Sequence, residues 1–155
     1  FKNIKHKGFI ILFLHIFSIF SMLIVGHCFG AFLFYSFHRF IFHGKLGKLP
    51  VLKRIKKIHS MHHARPKDLE KLFFPNWSKA LIAVIIIVLG SINLPFAVGL
   101  CSFFPVYAYR HWEAHHGSEA SWAKHHMYHH EVNPKVNFGG IYPTIDAIFK
   151  TNISA

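Results

Sequence analysis

The sequence predicts an all-α integral membrane protein with a histidine-rich cap on the cytoplasmic side. Three observations predict it. Residues 8–38 and 80–109 contain no Asp, Glu, Lys or Arg, and apolar blocks of that length read as membrane segments. Charged residues make up 15% of the chain, where a soluble domain carries about 25%. Histidine occurs 15 times, and most copies fall in four short clusters at the ends of the apolar blocks. The 155 residues fit one domain, residues 1–155, with apolar blocks at 8–43 and 77–112.

The first block is too long for the apolar region of a signal peptide, and no small-residue cleavage site follows it. Its centre, Gly26-His27-Cys28-Phe29-Gly30, reads either as a turn or as a G-x-x-x-G packing face. A hairpin would put Lys2, Lys5 and Lys7 on the side of the other basic residues. Against a turn, the stretch has no Pro, Asn or Asp, and Gly is well tolerated in membrane helices. One long helix emerging at His38 is the expectation. Cys28 and Cys101 lie within the apolar blocks and have no C-x-x-C partner, so they read as small packing residues.

Between the blocks the chain is basic. Eleven of its 18 Lys and Arg residues fall between Arg39 and Lys79, including Lys53, Arg54, Lys56 and Lys57, and the net charge is +12. A basic segment between two membrane blocks is what the positive-inside bias produces, so it reads as cytoplasmic rather than as a nucleic-acid site. The second block would run about 45 Å as a single helix, against a hydrocarbon core of about 30 Å. Gly90-Ser91-Ile92-Asn93-Leu94-Pro95 interrupts it, and Pro95 lacks the N–H that a continuing helix needs. A hairpin follows, with arms over 77–93 and 95–112, returning Arg110 to the side of Lys79.

The chemistry sits in the clusters. They are His38-Arg39-Phe40-Ile41-Phe42-His43, His59-Ser60-Met61-His62-His63, His111-Trp112-Glu113-Ala114-His115 with His116, and His125-His126-Met127-Tyr128-His129-His130. On a helix, an i, i+3, i+4 triplet puts three imidazoles within an arc of about 100°, and an i, i+4 pair sits about 40° apart. These are chelating spacings. The H-x-x-x-x-H pair of the first cluster lies about 140° apart on an ideal α-helix, which suits two different metals better than one. His6, His15 and His27 stand outside the pattern and read as solvated or interfacial side chains.

Ten imidazoles are too many for one tetrahedral zinc and suit two metals with several ligands each. A buried pair of irons with open positions can reduce O₂ and attack an unactivated C–H bond, and a site at the membrane face reaches acyl chains. No G-x-S-x-G elbow, P-loop, dinucleotide fingerprint or haem motif is legible in the sequence. Reducing electrons are therefore expected from a separate protein.

The chain resembles the fatty acid hydroxylase superfamily, which includes fatty acid 2-hydroxylases, sterol desaturases and carotenoid hydroxylases. The resemblance runs from His38 to Thr151 through HRFIFH, HSMHH, HWEAH and HHMYHH, then Asn137-Phe138-Gly139 and the segment from Thr144 to Thr151. It implies a helical membrane protein whose cytoplasmic cap holds a dimetal site. The implied ligands are His38, His43, His59, His62, His63, His111, His115, His126, His129 and His130, with His116 and His125 as adjacent spares. Asp146 is implied as support to a ligand. A first box with four intervening residues looks more like fatty acid or carotenoid hydroxylases than sterol desaturases. The short gap from His115 to His126, with Ile145 and Lys150 where Trp and Gly are common, departs from the pattern.

The expected function is hydroxylation of a lipid C–H bond, a fatty acyl chain ahead of a sterol or carotenoid, and ahead of desaturation. The expected cofactors are two iron ions, with zinc as a substitute on purification and O₂ as co-substrate. A metal-binding membrane protein without oxidase activity is the alternative. The expected partners are a membrane lipid and an electron donor of cytochrome or ferredoxin type. The basic stretch from Lys45 to Lys57 is its candidate dock, with membrane topology alone as the competing role. The expected location is a bacterial inner membrane or the endoplasmic reticulum.

Overall fold

The computed structural model describes residues 2–68 and 75–153, with side chains from His6 onward. Part of the basic segment, residues 69–74, and the side chains of Lys2 and Lys5 lie outside the described residues. All regular structure among the described residues is helical.

Helix α1 spans Lys2–Ser36 without a break and continues into a π-helical turn, Phe37–Phe42. Within His6–Phe42 an 18-residue window reaches a mean hydropathy of 2.6, and the helix is long and apolar enough to cross a bilayer. Its first half stands clear of the rest of the chain, with Phe9, Phe13, Phe17 and Phe20 all exposed. A helix that is apolar on every side needs an apolar surrounding. A short 3₁₀ turn, Leu46–Lys48, leads to α2, Lys53–Ala64. Next come α3, Asn76–Ile92, and α4, Leu94–His115. Asn93 separates them, and its Oδ1 accepts from the backbone N–H of Phe96 at 3.0 Å, capping α4. Two short helices follow, α5 at Ser121–Glu131 and α6 at Pro143–Ile148.

The G-x-x-x-G stretch of α1 is a packing face, not a turn. A Cβ on Gly26 would strike the backbone of Phe96 and Leu100, while one on Gly99 of α4 would strike the backbone of Leu23. The two backbones approach so closely that only glycine fits on either side. Cys28 and Cys101 are both exposed. Their expected packing role is corrected, because the glycines make the contact.

Below the glycine contact lies a small apolar core of Ala31, Phe34, Phe103, Tyr107 and Ile141, with Phe104, Trp122, Tyr142 and Ile145 packed on it. His27 is half-buried beside it, its Nδ1 2.8 Å from Ser102 Oγ and its Nε2 2.8 Å from Tyr142 Oη. It ties α1 to α4 and to the C-terminal segment, so the solvated role expected for it is corrected. His6 and His15 are exposed. Beyond the core the interior turns polar: His38, His62, His111, His115, His125, His126, His129, Asn137 and Asp146 are all buried. Such a group of buried imidazoles costs stability unless something satisfies it.

Candidate metal centre

Four elements deliver the ten candidate histidines, and they converge as two sets of five. One set is His38, His43, His59, His63 and His129; the other is His62, His111, His115, His126 and His130. Within each set one nitrogen of every residue lies within 4.8 Å of all the others.

The sharing follows from helix geometry. In α2, His59 and His63 are one turn apart and enter the first set, while His62, offset around the axis, enters the second. In α5 the same triplet is used in reverse, with His126 and His130 in the second set and His129 in the first. His111 and His115, stacked on the last turn of α4, complete the second set.

His38 and His43 enter the same set, which corrects the expectation that they reach different metals. The chain is locally a π-helix, and His43 N–H donates to His38 carbonyl at 3.0 Å, an i+5 bond. A π turn aligns i with i+5, where an α-helix aligns i with i+4. The two rings lie 4.9 Å apart, centre to centre.

The nitrogens facing each other carry too few hydrogens to bond one another. His38 Nδ1 donates to Phe138 carbonyl and His129 Nδ1 to Val136 carbonyl, both at 2.6 Å. A carbonyl only accepts, so in both rings Nε2 is a bare lone pair aimed into the set. His59 Nε2 faces the Nε2 atoms of His38, His43 and His63 at 3.2, 2.9 and 3.0 Å, and has at most one hydrogen for the three. In the second set, His62 to His111, His111 to His115 and His115 to His126 measure 3.2, 3.1 and 3.1 Å. A metal–imidazole bond of about 2.1 Å puts neighbouring donors about 3.0 Å apart at right angles and about 3.4 Å apart at tetrahedral angles. Five imidazole nitrogens converging at this spacing could hold a cation in each set.

The adjacent histidines do other work. His125 Nε2 donates to Asp146 Oδ2 at 2.8 Å and lies outside both sets. His116 is exposed, with Nδ1 bonded to Trp112 carbonyl and its ring stacked on Trp112. Asp146 hydrogen-bonds to none of the ten directly, so any support it gives a ligand runs through its neighbours. Its carboxylate accepts from His125, from Gly139 N–H at 2.7 Å and from Thr151 Oγ1 at 2.8 Å. The backbone carbonyls that orient His38 and His129 escaped sequence reasoning, since a carbonyl has no side-chain signature.

The fatty acid hydroxylase family model matches residues 23–151, which takes in all four clusters and the C-terminal segment. The chain belongs to the fatty acid hydroxylase family. It is similar to a fatty acid 2-hydroxylase of mouse, with 29% identity over 149 residues covering 86% of this chain. The chain spans 40% of that relative's length. No solved structure matches it.

In this fatty acid hydroxylase family member, burial also fixes the form of the candidate ligands. Removal from water holds His43 and His62 down to about 3, and His63 and His129 to about 4, from an ordinary value of 6.5. His59, His126 and His130 are held down for the same reason, with repulsion from neighbouring imidazoles adding to it. Neutral imidazole, the form that binds metal, is the form the fold enforces. An apolar cavity of about 300 Å³ runs between α1, α2, α3 and α4, past Phe34, Ile58, Leu81 and Phe103, and ends on His59, His62 and His111.

Proposed function

We propose that this chain is the core of an integral-membrane, non-haem di-iron oxygenase that hydroxylates a C–H bond of a lipid acyl chain. The observation that carries this reading is the cavity: its wall is apolar, and it ends on imidazoles from both sets. That combination suits a methylene chain brought against a redox centre and suits few other substrates. The ten histidines of the two sets are the proposed ligands. Five donors at near-right-angle spacing support iron over tetrahedral zinc. When bound, the metal pair supplies reduction of O₂ to an oxidant able to break a C–H bond. Overall, one oxygen atom enters the lipid and the other leaves as water, with two electrons and two protons taken up.

The protein's own part is positional. The cavity wall holds the acyl chain and excludes water, the buried neutral imidazoles hold the metals, and the carbonyls of Val136 and Phe138 fix two of the rings. The exposed apolar half of α1 and the α3–α4 hairpin support membrane insertion, and the basic segment supports a cytoplasmic face for the histidines. Electrons come from a separate cytochrome- or ferredoxin-type carrier. Iron-loaded protein in lipid vesicles, given O₂ and a chemical reductant, is expected to convert an acyl lipid to a product heavier by one oxygen. Absence of that product from protein shown to hold two irons would reject the reading.

A further inference from the structure

The two sets of imidazoles are held differently. In the His38 set, the rings of His38 and His129 are anchored by carbonyls from one loop, Phe138 and Val136. In the other set, Nδ1 of His62, His115, His126 and His130 has no hydrogen-bond partner among the described residues. Asn137, between the two carbonyls, is buried and adopts a left-handed φ of 57°. Its side chain bonds the carbonyls of His125 and Ile153 and the N–H of Ile153, so the loop is fixed from both sides.

A single peptide unit joins Asp146 to that loop. Its carbonyl, on Phe138, accepts from His38 Nδ1, and its N–H, on Gly139, donates to Asp146 Oδ2 at 2.7 Å. The carboxylate is itself the end of a directional chain. Arg39 Nη1 donates to Tyr35 Oη at 2.6 Å, leaving Tyr35 to donate to Thr151 Oγ1 at 3.1 Å, which in turn donates to Asp146 Oδ1 at 2.8 Å. With His125 and Gly139 donating to the other oxygen, every contact treats Asp146 as an acceptor and none requires it to carry a proton.

We propose that Asp146 is a positioning residue that strengthens one metal site through the Phe138–Gly139 peptide, making the His38 set the tighter-binding of the two. The inference rests on the two-metal reading above. A carboxylate pulling on a peptide N–H polarises that peptide and makes its carbonyl a better acceptor. A better acceptor at Nδ1–H makes the same imidazole a stronger donor at Nε2. Directly bonded carboxylates act on metal-bound histidines in this way; here a peptide group stands between them. The asymmetry gives one firmly held ion and one more readily exchanged, set by residues that touch neither.

The test is the release of iron to a chelator from wild-type protein and from Asp146→Asn, followed as ions per chain over time. Asn keeps the shape, and its oxygen can still accept from Gly139 and His125 while its NH₂ faces Thr151, so the loop is retained. The wild type is expected to release two ions in separate slow and fast phases. His111→Ala should keep the slow ion, and His38→Ala the fast one. In Asp146→Asn the slow phase should accelerate about 10- to 100-fold, the usual effect of removing outer support from a ligand, while the fast phase stays put. Should the Asn variant fail to fold, the phase assignment from the two histidine variants decides alone. Equal rates in the wild type, retention of the slow ion by His38→Ala, or equal acceleration of both phases in Asp146→Asn would overturn the proposal. A wild-type chain that takes up no second iron would overturn the two-metal reading itself.

Discussion

His63 and His130 stack face to face, their ring centres 4.1 Å apart and their planes within 21° of parallel. One belongs to each set of five, so the two candidate metal positions share a wall one imidazole thick on each side. Helices α2 and α5 both contribute to both sets, which locks the spacing of the two positions to the packing of those helices. Turnover is therefore expected to be sensitive to this contact. His130→Asn, which removes the stack together with a proposed ligand of the second set, is expected to lower acyl hydroxylation by at least about tenfold, as loss of a positioned group in an active site commonly does. Unchanged turnover would show that the stack and its ligand are both dispensable.

Acidity should loosen the fold and the site together. Burial holds His43 and His62 to about 3 and His63 and His129 to about 4, while the same groups titrate near 6.5 in the unfolded chain. Between those values the unfolded state binds more protons, so stability rises with pH through the window and is fully present above about 6.5. Urea midpoints of chelator-treated protein in detergent should be level above neutrality and fall steadily from pH 6.5 toward 4. A midpoint that rises on acidification would contradict the burial of these rings.

Membrane topology is expected to put all four clusters on one side. Single cysteines at positions 60 and 128, in a background lacking Cys28 and Cys101, should label from the cytoplasmic side, and position 93 from the opposite face. With α1 continuous from Lys2 to Ser36, position 3 should also label from the outside. Labelling of 60 and 128 from opposite sides would be incompatible with a shared site.

Blocking the cavity should abolish selection of long chains without emptying the metal sites. Leu81 lines it on α3 and is not one of the ten histidines. Leu81→Trp is expected to reduce turnover of a long acyl chain by about tenfold or more, about 1.4 kcal/mol in the transition state, with iron content unchanged. Comparison across acyl lengths checks it, since a shorter chain should suffer less.

The basic segment offers a selective test of donor docking. Lys56 Nζ bonds Gly44 carbonyl at 3.1 Å, and the Arg54 guanidinium lies over the Trp77 ring at 5.5 Å, so both have structural contacts. Lys53 and Lys57 are exposed. Lys53→Glu with Lys57→Glu should slow reduction by an acidic carrier and flatten its dependence on ionic strength. An unchanged rate would leave the segment to membrane topology.

Much of this architecture is legible in the residues. Asn93 and Pro95 marked the break between α3 and α4, and the H-x-x-H-H spacings marked which rings share a helix face. Gly26 and Gly30 alone could not separate a turn from a packing face, because the deciding residue, Gly99, lies in another helix. The H-x-x-x-x-H pair misled because its spacing was read on an α-helix, whereas the chain there is a π turn. His27 pairs with Tyr142 across 115 positions, a contact only tertiary structure reveals. The anchoring of His38 and His129 rests on backbone carbonyls, which every residue has.

Ten imidazoles arranged as two sites of five set the metal content of the protein. Counting iron per chain, by elemental analysis of purified, iron-loaded protein, tests it most directly when His43→Ala and His115→Ala are run beside the wild type. Close to two ions per chain are expected in the wild type and close to one in each variant, with the helices still inserted. Two ions retained in both variants, or a single ion in the wild type, would rule out two sites of five.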